Sequence, residues 1–316
     1  MDILYITPDK VEAFLSWNGV MEAMIEGHRH EKAQIDDMFL QQSDNTLLNR
    51  AAAIQGLGMG VKCASIFPGN TSLFPPQPSV NSMFLLFNET TGKVDSLIDG
   101  NFLTKWKTAG DSVLGSRFLA RPDSRTLTIL GAGVVAESLI SAYTDAFPKL
   151  DQVLIWNRSH VRAERLADRL TSLALPVKAV LNLQEAVERA DILSSATMSK
   201  EPLIKGSWVQ PGTHVDLIGA FRPDMREADD DLVRQSSLFV DARETTLDDI
   251  GELSIPIAKG VIGREDVRGD FYDLCNGSER RESDSEITLF KNGGGAHLDL
   301  MTAKYICRVA DSLHKY

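Results

Sequence analysis

The stretch TLTILGAGVVAESLISAY at residues 126–143 decides the fold, because it predicts a strand, a glycine turn and a helix in that order. Gly131 allows the tight turn, Gly133 lets a pyrophosphate approach the backbone, and Ala136 lets the helix pack closely on the strand. Phosphates are favoured at such a helix start by N–H groups and the helix dipole. The alternative is a tight turn that binds no ligand. We favour a dinucleotide site with these contacts: Gly131, Ala132, Gly133, Val134 and Val135.

Outward from this stretch, from about Arg125 onward, short apolar strands alternate with amphipathic helical segments. Continuous apolar strands with helical crossovers are typical of a parallel sheet covered on both faces. The α/β pattern predicts a Rossmann domain, a doubly wound parallel sheet, over residues 121–295. The pattern fades after about residue 260. Strands are expected at residues 127–130, 153–156, 177–180, 191–197, 214–220 and 238–241.

The residues before this domain have a different pattern, which predicts a separate α+β domain over residues 1–120. Residues 8–31 carry an apolar stripe and predict a helix, with Pro8 at the first helical position. Residues 50–120 alternate short apolar runs with turn signals.

The domain boundary follows from a proline. Residues 103–119 predict a helix with a break near Gly110, and Pro122 then ends it because proline cannot continue the hydrogen-bond ladder. After the glycines at 293–295 the sequence predicts a C-terminal helix over residues 296–316.

The end of the second Rossmann strand indicates the cofactor. NAD enzymes usually place a carboxylate there for the ribose hydroxyls. This chain has Asn157 and Arg158 instead, and a guanidinium can bind a 2′-phosphate bidentately. NADPH is therefore favoured and NADH stays possible. The alternative is that Arg158 is a solvated surface residue and either cofactor binds.

Two later strand ends carry small residues that are expected to lie against the cofactor. For the segment 195–197 ordinary tight packing at a strand end is the alternative, and the segment 218–220 is expected to face the nicotinamide ring. These segments are Ser195-Ala196-Thr197 and Ile218-Gly219-Ala220.

Composition excludes several classes of protein. The formal net charge of the 316 residues is −11, which gives no attraction to nucleic acid. The three cysteines show neither metal-ligand spacing nor a redox pair, so no metal is expected and a reducing cytoplasm is the simplest compartment. The first residues are too polar for a signal peptide, and no stretch approaches the ~18 apolar residues of a membrane span.

Cations in an acidic chain stand out as candidate ligands for an anionic substrate. Arg50, Lys62 and Lys107 each lie beside turn or helix signals in mostly apolar surroundings. The alternative from composition is that they are ordinary solvated side chains.

Together with the glycine turn, these segments resemble the ornithine cyclodeaminase and mu-crystallin family over nearly the whole chain. The resemblance implies an N-terminal substrate and dimerisation domain completed by the last helix, a Rossmann domain, and a homodimer. The matching segments are Lys62 followed by Pro68-Gly69-Asn70, residues 91–104, Lys107-Thr108-Ala109, residues 131–133, residues 156–158, residues 218–227 and residues 290–300.

Site residues are implied by the resemblance position by position. Lys62 matches the active-site lysine, Arg50 a carboxylate-binding cation, and Asp299 the acidic residue of the C-terminal motif, which we assign to substrate binding. Lys107 stands where the family commonly has arginine, so carboxylate binding there is less bidentate. Thr108 is assigned to the cofactor.

One departure indicates the branch of the family. Cyclodeaminases carry an aspartate directly after the turn at Ile218-Gly219-Ala220, whereas this chain has Phe221. We therefore expect a ketimine reductase that acts on a cyclic imino acid, Δ1-pyrroline-2-carboxylate giving L-proline or Δ1-piperideine-2-carboxylate giving L-pipecolate. Lys62 is expected to support imine protonation. The alternatives are an ornithine cyclodeaminase, an alanine dehydrogenase, a hydroxyproline dehydratase or a non-catalytic binding protein.

Overall fold

The computed structural model describes residues 3–313 and divides into two compact units. Residues up to Thr108 form the first unit together with those from Gly295 onward, and Ala109–Gly294 form the second. The division falls inside a helix, twelve residues before the expected boundary at residue 120. The C-terminal helix belongs to the first unit.

Six strands form the sheet of the first unit: β1 (Leu4–Ile6), β2 (Gln34–Gln42), β3 (Asn45–Ile54), β4 (Gly58–Ile66), β5 (Val80–Phe87) and β6 (Val94–Asp99). Their order is β1-β6-β5-β4-β3-β2. The β1–β6 pair is parallel and the other pairs are antiparallel.

Eight strands form the sheet of the second unit: β7 (Thr126–Leu130), β8 (Gln152–Trp156), β9 (Val177–Ala179), β10 (Ile192–Ser195), β11 (His214–Leu217), β12 (Ser237–Val240), β13 (Val267–Gly269) and β14 (Thr288–Lys291). The order is β13-β12-β14-β11-β10-β7-β8-β9 and every pairing is parallel. Every residue of β7, β10, β11 and β14 is buried, as expected for strands covered on both faces.

The helices are α1 (Pro8–Val11), α2 (Trp17–His28), α3 (Gly100–Leu119), α4 (Val134–Ala146), α5 (His160–Arg169), α6 (Leu183–Glu188), α7 (Asp230–Gln235), α8 (Arg243–Thr246), α9 (Gly251–Ala258), α10 (Phe271–Asn276) and α11 (Ala296–Leu313). Short 3-10 turns lie at Glu12–Phe14, Pro68–Ser72, Gly206–Trp208 and Arg264–Asp266.

The N-terminal helix is interrupted, so the single helix expected over residues 8–31 is wrong. Leu15 has an extended backbone, and the chain restarts at Ser16, whose hydroxyl accepts a hydrogen bond from the N–H of Gly19. A side-chain acceptor at this position satisfies one of the N–H groups that a helix start leaves unpaired. The extended backbone at Leu15 therefore ends the first helical segment, and the Ser16 cap begins the next helix.

Helix α3 runs unbroken for 20 residues, so the expected break at Gly110 is also wrong. Gly110, Val113 and Leu114 are buried. At Gly115 an added Cβ would lie 2.8 Å from the ring of Phe290. Burial by tertiary packing outweighs the weak helix propensity of glycine here.

Strands β13 and β14 lie where the sequence pattern fades, and the sequence analysis missed both. β14 pairs with β11 and β12, at the centre of the sheet. β14 has only four residues and the last is Lys291, so its sequence lacks the continuous apolar run that predicts a buried strand. The central position is set by pairing with distant segments.

A buried polar network ties β10 and β11 to the helices of the second unit. Asp216 Oδ2 accepts hydrogen bonds from Ser194 Oγ at 2.6 Å and from the Tyr143 hydroxyl at 3.1 Å. The Tyr143 hydroxyl also lies 2.7 Å from Ser116 Oγ. Burial raises the pKa of Asp216 to about 6, and the hydrogen bond from Ser194 acts in the opposite direction.

This pKa predicts a pH dependence of stability. Between about pH 4 and 6 the folded protein keeps the Asp216 proton that the unfolded chain has lost, so the free energy of unfolding decreases as the pH rises. We expect Asp216→Asn to make this decrease smaller. Urea unfolding across this range measures it, with exposed Asp145→Asn as the control for net charge. An unchanged slope in Asp216→Asn would contradict the assignment.

Candidate active site

The glycine turn after β7 leaves room for a ligand. Gly131 has φ of 117°, a backbone conformation that favours glycine, and an added Cβ would lie 2.7 Å from the carbonyl oxygen of Ala196. Gly133 caps the start of α4, and a Cβ added there would meet nothing within 4 Å. A tight turn followed by an open helix start fits a dinucleotide pyrophosphate.

Exposed apolar side chains follow the carboxyl ends of the strands in this sheet. Apolar side chains of this kind line small-molecule sites. The two valines beside the glycine turn, Val134 and Val135, belong to this set. The residues are Val134, Val135, Leu181, Met198 and Phe221.

The end of β8 carries the two residues expected to choose the cofactor. The side-chain amide of Asn157 donates to the carbonyl oxygen of Ser159 at 2.9 Å, which shapes the loop. Arg158 is exposed and makes no hydrogen bond or ion pair within residues 3–313. Its guanidinium is therefore available for a ligand.

The loops after β10 and β11 are held by a residue that the sequence analysis missed. Glu227 is fully buried and accepts hydrogen bonds from Ser195, Thr197 and Gly219. The hydroxyl of buried Ser195 is engaged inside the protein, which favours a supporting role for this residue over direct cofactor contact. Ala196, Thr197, Ile218 and Gly219 are partly exposed.

In the first unit, the β4 lysine forms a buried ion pair with α11. Lys62 Nζ lies 2.8 Å from Asp299 Oδ1 and 2.7 Å from Oδ2. The carboxylate is fully buried, and the lysine side chain is only 10% exposed. Lys62 is thus no ordinary surface lysine. Asp299 touches Lys62, so its burial favours a role in positioning the ammonium; direct substrate binding by Asp299 stays a prediction.

Arg50 lies next to Lys62 on the same face of the sheet. The two are direct partners across β3 and β4, and Asp37 pairs with Arg50 across β2 and β3. Arg50 Nε lies 3.1 and 2.9 Å from the Asp37 carboxylate oxygens. One edge of the guanidinium is therefore committed to Asp37, and the strand register keeps the two cations adjacent.

Helix α3 supplies Lys107, which is buried, followed by half-buried Thr108. Near it lies His297, which the sequence analysis also missed. His297 is fully buried in the first turn of α11, and neither ring nitrogen has a hydrogen-bond partner in the described part of the chain. Burial lowers the pKa of His297 well below its usual value, and the nearby charges of His28, Lys107 and Arg50 act in the same direction. The imidazole is therefore neutral, and cations converge around it.

In the loop after β11, the position where cyclodeaminases carry an aspartate has no carboxylate in this chain. Phe221 occupies that position and is exposed. Asp224, three residues on, is engaged in exposed ion pairs with Lys200 at 2.8 Å and Arg222 at 3.0 Å. The hydrogen bond from Lys200 lowers the pKa of Asp224, which makes it a weaker base.

From residue 3 to residue 313, no three His, Cys, Asp or Glu side chains come together in a way that would hold a metal ion. Within that range no helix combines the length and the apolar character needed to cross a bilayer.

The site residues thus form two sets, one in each unit. Lys62, Arg50, Lys107 and Asp299 come together in the first, and the glycine turn and the strand-end loops in the second. Residues 12–313 match the sequence model of the ornithine cyclodeaminase/mu-crystallin family, and the chain belongs to this family. The resemblance stated from the sequence is confirmed.

Individual relatives agree with this. The Δ1-pyrroline-2-carboxylate reductase of Paracoccus denitrificans (strain Pd 1222) is 51% identical over 296 residues, which is 93% of each chain. The structure of Thermococcus litoralis Δ1-pyrroline-2-carboxylate reductase in complex with NADH and L-proline is similar with a TM-score of 0.91 at 30% identity, covering 99% of this chain and 98% of that one. An archaeal alanine dehydrogenase dimer with bound NAD has a TM-score of 0.91 at 28% identity, with the same coverage.

Proposed function

We propose that this chain is an NAD(P)H-dependent reductase of cyclic ketimine carboxylates, with Δ1-pyrroline-2-carboxylate as substrate and L-proline as product. The observation that carries the proposal is the buried Lys62–Asp299 ion pair beside Arg50. Such an arrangement offers a proton-bearing cation next to a carboxylate-binding one. The names of the Paracoccus and Thermococcus relatives support the same reaction.

The nicotinamide cofactor would be held by the second unit. The open N–H groups at Gly133 and the start of α4 suit the pyrophosphate, and Arg158 suits a 2′-phosphate. When bound, the reduced nicotinamide supplies hydride to the imine carbon. The remaining contacts in this unit are proposed for Ala132, Val134, Val135, Asn157, Ala196, Thr197, Ile218 and Gly219. Thr108 of the first unit is a further proposed cofactor contact.

The residues of the first unit would bind the substrate carboxylate and supply a proton to the imine nitrogen. Lys62 would donate a proton from its ammonium to the imine nitrogen and become neutral, because the protonated imine is a better hydride acceptor, and Asp299 would fix the direction of the ammonium. Arg50 and Lys107 bind the substrate carboxylate. Neutral His297 adds no positive charge to this cluster.

Ornithine cyclisation is disfavoured by the loop after β11. That reaction needs a base for amine and water chemistry, and here Phe221 replaces the aspartate while Asp224 is paired with Lys200. Reduction needs no such base. The chain is therefore placed among the reductases of its family.

A single experiment tests the function. Consumption of NADPH, followed by absorbance, is measured with Δ1-pyrroline-2-carboxylate and with Δ1-piperideine-2-carboxylate, and ammonia release is measured with ornithine plus NAD⁺. We expect NADPH oxidation with an imine and no ammonia from ornithine. Ammonia release without imine reduction would replace the proposal by cyclodeamination.

Two substitutions in the first unit are expected to act on different kinetic constants. Lys62→Met keeps the apolar stem and removes the charge, so kcat and kcat/KM should both fall, by about 10²–10⁴-fold. Arg50→Ala should mainly raise KM, because carboxylate binding is shared by ground and transition states. Steady-state kinetics measure both.

Lys105→Met is the matched control for the lysine, because Lys105 is an exposed lysine of the same unit, paired with Glu12. It should leave both constants unchanged. A near-normal kcat for Lys62→Met, with NADPH still bound, would remove Lys62 from the mechanism.

Arg158→Ala is expected to weaken the binding of NADPH and to leave the binding of NADH nearly unchanged. A charge-assisted contact contributes on the order of 1.5–3 kcal/mol, so the KM for NADPH should rise about tenfold or more while that for NADH changes little. Arg189→Ala serves as the control, because Arg189 is an exposed arginine that pairs with Glu185 and lies before β10, at the amino ends of the strands. Equal effects on both cofactors would point to a solvated Arg158 and no preference for NADPH.

We also propose a homodimer formed through the sheet of the first unit. Helix α11 covers one face of this sheet, and the strand register places four exposed apolar side chains on the other face: Met38, Leu40, Leu47 and Met59. Leu40 and Leu47 are direct partners across β2 and β3, and exposed apolar side chains that share a face are typical of an interface.

Light scattering at micromolar concentration should give the mass of two chains. Met38→Lys combined with Met59→Lys should shift the protein to monomer, whereas Val161→Lys, at an exposed apolar residue of α5, should not. A monomeric wild-type protein would refute the proposed assembly.

The proposed location is the cytoplasm. It rests on the cysteine pattern of the sequence, which suits a reducing compartment. Fractionation of cells that produce the protein would test this.

A further inference from the structure

Glu227 is the focus of a dense set of hydrogen bonds in the second unit. The residue is fully buried just after the β11 loop. Oε1 accepts from Ser195 Oγ at 2.5 Å, from Thr197 N at 2.9 Å and from Thr197 Oγ1 at 2.7 Å. Oε2 accepts from the N–H of Gly219 at 2.7 Å and of Ala220 at 3.3 Å. One carboxylate therefore joins the loop after β10 to the loop after β11.

The two loops also touch each other directly. A Cβ added at Gly219 would lie 2.1 Å from the carbonyl oxygen of Thr197 and 2.5 Å from Glu227 Oε1. The loop after β10 in turn lies against the glycine turn, since a Cβ on Gly131 would lie 2.7 Å from Ala196 O. The three strand-end loops form one packed row, with the carboxylate beneath two of them.

A second buried carboxyl group fixes Glu227 itself. Glu252 accepts hydrogen bonds from the backbone N–H of Glu227 at 2.8 Å and of Ala228 at 2.9 Å. Burial raises the pKa of Glu252 to about 7, and the negative charge of Glu227 adds to the rise, while Lys291 acts in the opposite direction. Both the backbone and the carboxylate of Glu227 are thus fixed from inside the protein.

The position of these loops assigns them to one half of a dinucleotide. In a doubly wound sheet the ligand binds across the carboxyl ends of the strands, each half of the sheet serving one nucleotide. Here the glycine turn of β7 and Arg158 after β8 serve the adenosine half. β10 and β11 lie on the other side of β7, so their loops serve the nicotinamide half.

We propose that Glu227 is a positioning residue for the nicotinamide half of the cofactor, acting through the loops Ser195–Thr197 and Gly219–Ala220. The inference rests on the proposed function. Because Glu227 is fully buried, it holds the loops and touches neither substrate nor cofactor. Loops fixed before binding lose less conformational entropy when the ligand arrives.

The charge and the acceptor capacity of the carboxylate are both needed. All five contacts are donors toward Glu227, and a carboxylate offers acceptors on both oxygens. In Glu227→Gln an NH2 group would replace one carboxylate oxygen. That NH2 group would face N–H or O–H donors and could not accept hydrogen bonds from them. One loop would then lose its anchor while the side-chain volume stays the same.

The test separates the two halves of the cofactor. Binding of NADPH and NADH, and of their adenosine halves 2′,5′-ADP and ADP, is measured by calorimetry on wild type and on Glu227→Gln. Loss of charge-assisted hydrogen bonds predicts a Kd for the dinucleotides about tenfold higher or more, and an unchanged Kd for the adenosine halves.

Asp191→Asn is the matched control. Asp191 is also a carboxylate that accepts backbone N–H groups, those of Arg125 and Thr126, but it lies at the amino end of β10, the opposite end of the same strand. The substitution should lower the unfolding temperature and leave all four Kd values unchanged. If Glu227→Gln does not fold, Ser195→Ala removes one buried donor to Glu227 and should raise the dinucleotide Kd alone, by a smaller factor.

The outcomes are distinguishable. A folded Glu227→Gln with wild-type affinity for the dinucleotides, or a variant that loses both classes of ligand equally, would overturn the positioning role and leave the proposed function intact. Wild-type protein that binds none of the four ligands would overturn the proposed function, and the inference with it.

Discussion

Charge removed from water must find compensating partners, and the rest of this structure is arranged around that constraint. In the first unit the strand register sets Arg50 beside Lys62, and α11 brings Asp299 onto the lysine. In the second, Glu227 collects five donors from two loops. An uncompensated charge at any of these places would cost several kcal/mol. The backbone paths that supply the partners are therefore fixed by electrostatics as much as by apolar packing.

The Rossmann sheet is the part of the fold that sequence reasoning predicts well. Its first six strands, β7 to β12, are apolar runs predicted from the sequence, and helices separate all of them except β10 and β11. Gly131 marks the turn that only glycine accepts without strain. These signals are local. The membership of the C-terminal helix in the first unit came only from the resemblance, because pairing of distant segments leaves no local signal. Among the candidate residues, the same resemblance led to Lys62 and Asp299, and local pattern alone left both as ordinary charged residues.

What the sequence missed is consistently non-local. β14 enters the middle of the sheet between strands far earlier in the chain, and its four residues carry no period that would reveal them. Helix α3 stays unbroken at Gly110 because its surroundings are packed. Glu227 and His297 are charged or polar residue types that usually lie at the surface, and only tertiary contacts show that they are buried. Glu227 depends on Ser195, 32 positions earlier in the chain, and His297 lies near Lys107, 190 positions earlier (297 − 107).

The Lys62–Asp299 pair is better explained by chemistry than by stability. Desolvation of two charges offsets much of their attraction, and replacing a buried ion pair by well-packed apolar residues is often neutral or stabilising. A chain selected for stability alone gains little from a lysine on the buried face of a sheet. A chain that must place one ammonium beside Arg50 gains direction from the ion pair, because Asp299 limits the rotamers open to a long, flexible side chain. The side chain of Lys62 is buried, and Asp299 holds its ammonium next to Arg50. Burial of the Lys62–Asp299 ion pair therefore both costs desolvation energy and orients the ammonium.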